Sequence, residues 1–176
     1  MKWESDNKAL MVNDGYFKFF SPLSLKQLID FLSEFPDSII VAGMTDVGLW
    51  ITKKGEQLTP LLSLSRVKSL HKIKVEKNFI EIGAAVTYGD AIKLLTKVSP
   101  GLGELLRRIG SKQIRNTGTI CGNIANGSPI GDMPPPLIAL GTSVVLRDSS
   151  GRRKLDLEDF FIDYDMQNIK EGEFIE

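Results

Sequence analysis

Two glycine-rich runs carry the residues most suited to binding chemistry. The longer is Thr117-Gly-Thr-Ile-Cys-Gly-Asn-Ile-Ala-Asn-Gly-Ser-Pro-Ile-Gly-Asp132, part of a stretch from Gly110 with no clean helical or strand period. The shorter is Val41-Ala-Gly-Met-Thr-Asp-Val-Gly48. Small side chains let a backbone lie close to a phosphate or sugar, with N–H groups aimed at the ligand. Gly118, Gly122 and Gly127 permit unusual backbone geometry, and Thr119, Asn123, Asn126 and Ser128 offer hydrogen bonds. Two such runs suggest an extended, phosphate-bearing ligand held at two places. The plainer alternative stays open: the first run is a strand-to-helix turn capped by Thr45 or Asp46, and Asp132 is a helix N-cap rather than an acceptor for ligand hydroxyls. Gly-x-Gly-x-x-Gly spacing is absent, because Thr stands at position 45.

Other reactive types are sparse. One Cys and one His exclude a self-contained zinc or iron–sulfur site. Cys121 reads as a packed thiol, since no base is evident. His71 reads as a surface residue. Lys112 and Arg115 read as solvated cations, or as neighbours of ligand charge. Arg152, Arg153 and Lys154 read as a solvated turn. No hydrolytic triad or defensible carboxylate pair is present. The 176 residues are 42% hydrophobic and 25% charged, with zero formal net charge. No global field therefore favours nucleic acid, no run approaches a membrane span, and the N-terminus lacks a signal-peptide h-region. A reducing cytoplasm is expected.

The elements that would hold these runs follow from pattern. Leu25, Leu28, Ile29 and Leu32 make one apolar helical face, with Ser24 and Gln27 as a capping box and Pro36 as a stop. A strand over 38–41, a turn at Gly43 and a helix from Asp46 to about Lys53 follow. Residues 58–64 and 67–74 read as strand and loop, and 79–84 as a strand. Thr87 and Asp90 cap a helix through Val98, and Pro100 opens another through about Ile109. The long polar loop comes next. Asp132 caps a short proline-led helix that Gly141 ends. Asp148–Gly151 turns a β-hairpin. The fold class is α+β in two lobes: residues 1–15 an arm or linker, 16–60 an N-terminal lobe, 61–176 a C-terminal lobe, with the ligand between them.

Taken together, the two runs resemble the flavin-binding domain of the molybdenum hydroxylases, the xanthine dehydrogenase family. Ile114–Asp132 is the specific part, and the likeness runs from about Tyr16 through Pro134–Gly141 to Asp159-Phe-Phe. The nearest look is to the small subunit of bacterial xanthine dehydrogenases. The resemblance implies a two-lobed FAD-binding fold of the vanillyl-alcohol-oxidase (PCMH) type. It implies that Ile40, Val41, Ala42, Gly43, Met44, Thr45, Asp46 and Val47 wrap the FAD pyrophosphate. Gly118, Thr119, Gly122, Asn123 and Asn126 would form the second wall, with Asp132 near FAD hydroxyls and Ile109 and Ile175 against the cofactor. Ile109 stands where a relative has an aromatic, and Met44 where a small or polar residue is usual. No residue of the chain is assigned as catalytic or metal-binding.

In that family a molybdenum-cofactor subunit oxidises substrate, and electrons pass through an iron–sulfur domain to FAD and on to NAD⁺. The resemblance also implies that 1–15 is an interdomain linker remnant and that family members continue beyond Glu176. Three alternatives stand beside this reading. One is a sibling hydroxylase acting on carbon monoxide, nicotinate or an aromatic acyl thioester. The others are a cell-wall-precursor reductase of the same fold and a non-enzymatic nucleotide-binding module.

Overall fold

The computed structural model describes residues 8–164 and 166–176. Its first sheet takes strands β1 (Leu10–Asn13), β2 (Lys18–Ser21), β3 (Ile39–Val41) and β4 (Leu61–Ser63) in the order β1-β2-β4-β3. β1 and β2 form an antiparallel hairpin, so residues 10–13 are an edge strand and not a linker; residues 1–7 lie outside the described chain. β2, β4 and β3 run parallel, connected through α1 (Leu25–Glu34) and α2 (Val47–Lys54). Parallel neighbours need such crossovers. The middle parallel strand, β4, begins after residue 60. A lobe boundary at 60 and 61 therefore cuts this sheet instead of bounding it.

α1 forms as its pattern requires, burying Leu28, Phe31 and Leu32. Ser24 Oγ accepts from Gln27 N, but the Gln27 side chain accepts from Leu23 N, one residue before the usual capping-box donor. A 3-10 turn at Lys68–His71 leads to the antiparallel pair β5 (Ile73–Val75) and β6 (Ile80–Ile82). α3 (Tyr88–Val98) carries the complete Thr87–Asp90 capping box, and α4 (Pro100–Arg108) packs beside it.

The polar stretch after Gly110 is not one long loop. It folds into α5 (Lys112–Thr117) and α6 (Ile120–Asn126). Each is too short to display a period, and isolated helices of this length do not persist. Tertiary contact and side-chain caps make them: Ser111 Oγ accepts from Ile114 N, and Thr119 Oγ1 accepts from Gly122 N. α7 (Pro134–Ala139) follows, with Met133 and not Asp132 at its cap position. Prolines 134–136 offer no N–H for an Asp132 side chain to cap, and Met133 N donates instead to Asn123 Oδ1 of α6.

The hairpin β7 (Ser143–Arg147) and β8 (Arg152–Asp156) turns at Asp148–Gly151, where Asp148 Oδ1 accepts from the N–H of Ser150 and of Gly151. α8 (Leu157–Phe160), β9 (Phe161–Asp163) and β10 (Met166–Gln167) precede β11 (Phe174–Ile175), which joins β7 to give the sheet order β11-β7-β8. One apolar core spans both halves of the chain, from Leu28 and Leu62 through Val86 and Leu106 to Leu146, Phe160 and Phe174. A smaller cluster of Val41, Leu58 and Leu61 lies under Trp50.

Candidate functional site

The β3–α2 turn and α6 face each other across a cleft lined by Ile39–Val47 and Trp50 on one side and Thr119, Gly122, Asn123, Ala125 and Asn126 on the other. The cleft has a volume of about 140 Å³. It continues past Ile40, Ala42, Gly122 and Ala125 into a second compartment of about 310 Å³. That compartment adds Leu64, Ala84, Cys121, the Pro36–Ser38 turn and all seven residues from Ile169 to Ile175.

Close backbone approach fixes the two sides. A Cβ on Gly43 would lie 2.0 Å from Thr117 O and 2.8 Å from Gly118 Cα, so only glycine lets the β3–α2 turn rest on the α5–α6 junction. Gly118 is buried beside Thr45, whose Oγ1 would be 3.4 Å from a Cβ placed there. Tyr88 N donates to Gly118 O, and Ile120 N to Val86 O, which anchors the start of α6 to the entrance of α3. Gly122 has ordinary helical backbone. A Cβ there would stand 2.6 Å from Thr119 Oγ1, so its glycine admits the capping hydroxyl. Only Gly127, after the last turn of α6, uses the left-handed region expected of this run.

The β3–α2 turn is rich in donors without partners. Among the described residues, the N–H groups of Gly43, Met44, Thr45 and Asp46 donate to no other group of the protein, and Thr45 Oγ1 and the Asn126 amide are likewise unengaged. Met44 holds φ +56°, a left-handed conformation rare outside glycine. The turn opens an eight-residue helix whose positive dipole end adds to these donors. Such a donor set suits a bridging pyrophosphate. Thr119 Oγ1 and Asn123 Oδ1 accept bonds within the protein, which leaves the Thr119 hydroxyl hydrogen and the Asn123 amino group to donate outward.

Ile175 reaches the second compartment. Ile109 and Asp132 line neither part: Ile109 is buried in the main core at the end of α4, and Asp132 is exposed. The Asp132 charge still reaches Tyr88. Burial first, then the Asp46 and Asp132 carboxylates, push the Tyr88 hydroxyl well above its ordinary value. Cys121 is packed, and burial raises its thiol to about 12, so it is inert as a nucleophile. His71 is exposed, with Nε2 2.8 Å from Ser65 O. Arg115 is not simply solvated: its Nη1 donates to Ile109 O and Gly110 O and closes the end of α4. The Arg152–Lys154 cluster is not a solvated turn either, since Arg152 pairs with Glu176 and Arg153 with Glu173. Reading the sequence missed Trp50, Ala125 and the segment Ile169–Glu173. The small residues Ala42 and Ala125, opposed across the cleft, were the available signal.

Residues 15–176 match the family described as the FAD binding domain in molybdopterin dehydrogenase. The chain belongs to that family, its cofactor is FAD, and its fold is the PCMH type of the FAD-binding subunits of molybdenum hydroxylases. Among its relatives, the nicotinate dehydrogenase FAD-subunit of Eubacterium barkeri is 34% identical over 82% of this chain and 50% of its own length. Xanthine dehydrogenase 2 of Arabidopsis thaliana is 29% identical over 93% of this chain and 13% of its own. A chain of the carbon monoxide dehydrogenase of Hydrogenophaga pseudoflava superposes with a TM-score of 0.84 at 28% identity, over 93% of this chain and 58% of that one. The chain thus spans about half the length of the first of these and far less of the plant enzyme.

Proposed function

We propose that this chain seats FAD between the β3–α2 turn and α6 and serves as the electron-transferring domain of a xanthine dehydrogenase-type molybdenum hydroxylase. The observation that carries this reading is the row of four unpartnered N–H donors, Gly43 to Asp46, facing α6 across one cleft. They bind the pyrophosphate with Thr45, while Thr119, Asn123 and Asn126 donate from the opposite side. Ile40, Val41, Ala42 and Val47 supply apolar contact beside them, and Ile175 supplies it in the second compartment. Gly118 and Gly122 keep the approach open. Asp132 meets ligand hydroxyls at the margin of the site, and Ile109 supports the site from the core. FAD, when bound, supplies the junction between one-electron iron–sulfur donors and the two-electron acceptor NAD⁺. The residues of this chain bind, orient and shield; no side chain here is needed as acid or base.

Iron–sulfur clusters and the molybdenum cofactor are then held by partner domains or subunits, and the enzyme works in the cytoplasm, where the buried Cys121 thiol stays reduced. Xanthine is the substrate on the likeness carried by Ile114–Asp132. Nicotinate is the second reading, favoured by the 34% identity to a nicotinate dehydrogenase FAD-subunit. Calorimetry tests the site: FAD binds without a covalent link and more tightly than FMN, and equal or tighter FMN binding would refute the two-part cleft. Dye reduction tests the role: the FAD-loaded chain accepts electrons from NADH but not from xanthine, and xanthine turnover without added subunits would overturn it.

A further inference from the structure

The second compartment has one wall without regular structure until its last residues. Ile169 to Glu173 cross the cavity before β11 begins at Phe174. This strap is held from behind. Glu173 is buried, with its side chain 4% exposed, and it takes a two-pronged bond from Arg153 of β8: Nε to Oε1 and Nη2 to Oε2, both 2.7 Å. The same carboxylate accepts from Lys170 N at 2.7 Å, which closes the tight turn over 170–173. Arg153 also donates to the side-chain and backbone oxygens of Asn168 at the near end of the strap. On the other flank, Gly172 N reaches Pro36 O at the exit of α1. Between Ile169 and Glu173, the described side-chain bonds of the strap therefore centre on one guanidinium–carboxylate pair. Such forks fix orientation as well as position.

We propose that Arg153 and Glu173 are positioning residues for the cofactor: their paired bonds set the strap Ile169–Ile175 at the distance from Ile40, Ala42 and Gly122 that the second compartment needs to close on bound FAD. The inference rests on the reading that this cleft holds FAD. Arg153 lines neither compartment, and the Glu173 carboxylate, though at the wall, is taken up by Arg153 and Lys170 N. Arg153 acts through Glu173, and Glu173 through the turn that presents Ile175.

The test compares FAD release rates of the full chain with those of Glu173→Gln, Arg153→Lys and the charge-exchanged double variant Arg153→Glu/Glu173→Arg. Leu102→Ala, a core truncation in α4 that lines neither compartment, serves as a control for stability alone. Losing a charged, two-pronged bond should speed FAD release about ten- to a hundredfold in Glu173→Gln. Arg153→Lys, which keeps the charge and loses the fork, should fall between it and the parent, and it replaces Glu173→Gln should that variant not fold. The double variant should recover part of the loss. Hydrogen exchange at residues 170–175 should accelerate in the single variants with or without FAD, while Leu102→Ala leaves release and strap exchange unchanged. FAD release at the parental rate in Glu173→Gln, or equal acceleration in Leu102→Ala, overturns the proposal. A parent chain that takes up no FAD refutes the cofactor reading first and this inference with it; the strap's exchange rates then show separately whether the pair holds the turn.

Discussion

The two sides of the cleft have similar composition and opposite economies of hydrogen bonding. Among the described residues, Gly43, Met44, Thr45 and Asp46 of the β3–α2 turn keep their backbone donors free, and Thr45 Oγ1 has no partner. In α6, the polar side chains hold the protein together: Thr119 caps its own helix and Asn123 accepts from Met133 N at the entrance to α7. Glycine, threonine and asparagine thus mark a ligand surface in one run and, in the other, internal bonds that leave only the remaining donors to face the cleft. Buried polar groups are satisfied first. α6 is buried through Ile120, Cys121 and Ile124 and must settle its own termini, whereas the turn borders the cleft and presses Gly43 against the α5–α6 junction.

The sharpest break in this comparison is Gly43→Val. Its Cβ would enter the Thr117 carbonyl, and the side chains around it cannot yield because the clash is with backbone. We expect a loss of about 3 kcal/mol or more in chemical denaturation, with FAD binding abolished, since overpacking against fixed atoms forces the two walls apart. A variant melting within about 2 °C of the parent would show that the walls are not in tight contact.

Next in size is a matched pair. Thr45→Val removes a hydroxyl that the protein itself does not use, so FAD affinity should fall about tenfold with stability unchanged. Thr119→Val removes an N-cap, so stability should fall by about 1 kcal/mol whether or not FAD is present. Calorimetry and thermal melts on both variants check the contrast. Identical behaviour of the two would erase the distinction between the walls.

A smaller effect comes from the strap. Hydrogen bonding to Arg153 holds the Glu173 carboxyl below the usual carboxylate range, against the opposing effect of burial. A lowered folded-state value means the contribution is fully present above the unfolded value of about 4.3 and is lost as pH falls through the folded value. Melting temperature measured from pH 7 down to pH 3 should therefore drop more steeply for the parent than for Glu173→Gln, and the two curves should converge at the acid end. Parallel curves would mean that the carboxyl titrates normally. The smallest effect is Met44→Gly. Relief of the left-handed residue is offset by the entropy of glycine in the unfolded chain, for a net change within about 0.5 kcal/mol. FAD affinity should be retained, because position 44 offers its backbone; a loss beyond about tenfold would assign the Met44 side chain a contact.

Local order was legible wherever neighbouring residues alone decide it. The apolar face of α1, the Thr87–Asp90 capping box, the proline-led α4 and the Asp148–Gly151 turn each depend on residues within about four positions of one another, and each is present in its expected place. The two glycine-rich runs also disclosed the family, because close backbone approach restricts side chains in a recognisable order. What tertiary structure alone decided lies at longer range. α5 and α6 exist because α3, α7 and the β3–α2 turn hold helices too short to persist by themselves. β4 entered the first sheet because parallel pairing joins strands far apart in sequence, and Leu10–Asn13 became its edge through β2. Arg153 and Glu173 are separated by twenty residues, and nothing local distinguishes their bond from a solvated charge. The same holds for the bond from Met133 N to Asn123 of the preceding helix, ten residues away. Caps, turns and faces are written in adjacent residues; partners that meet only after the chain has folded are written in geometry.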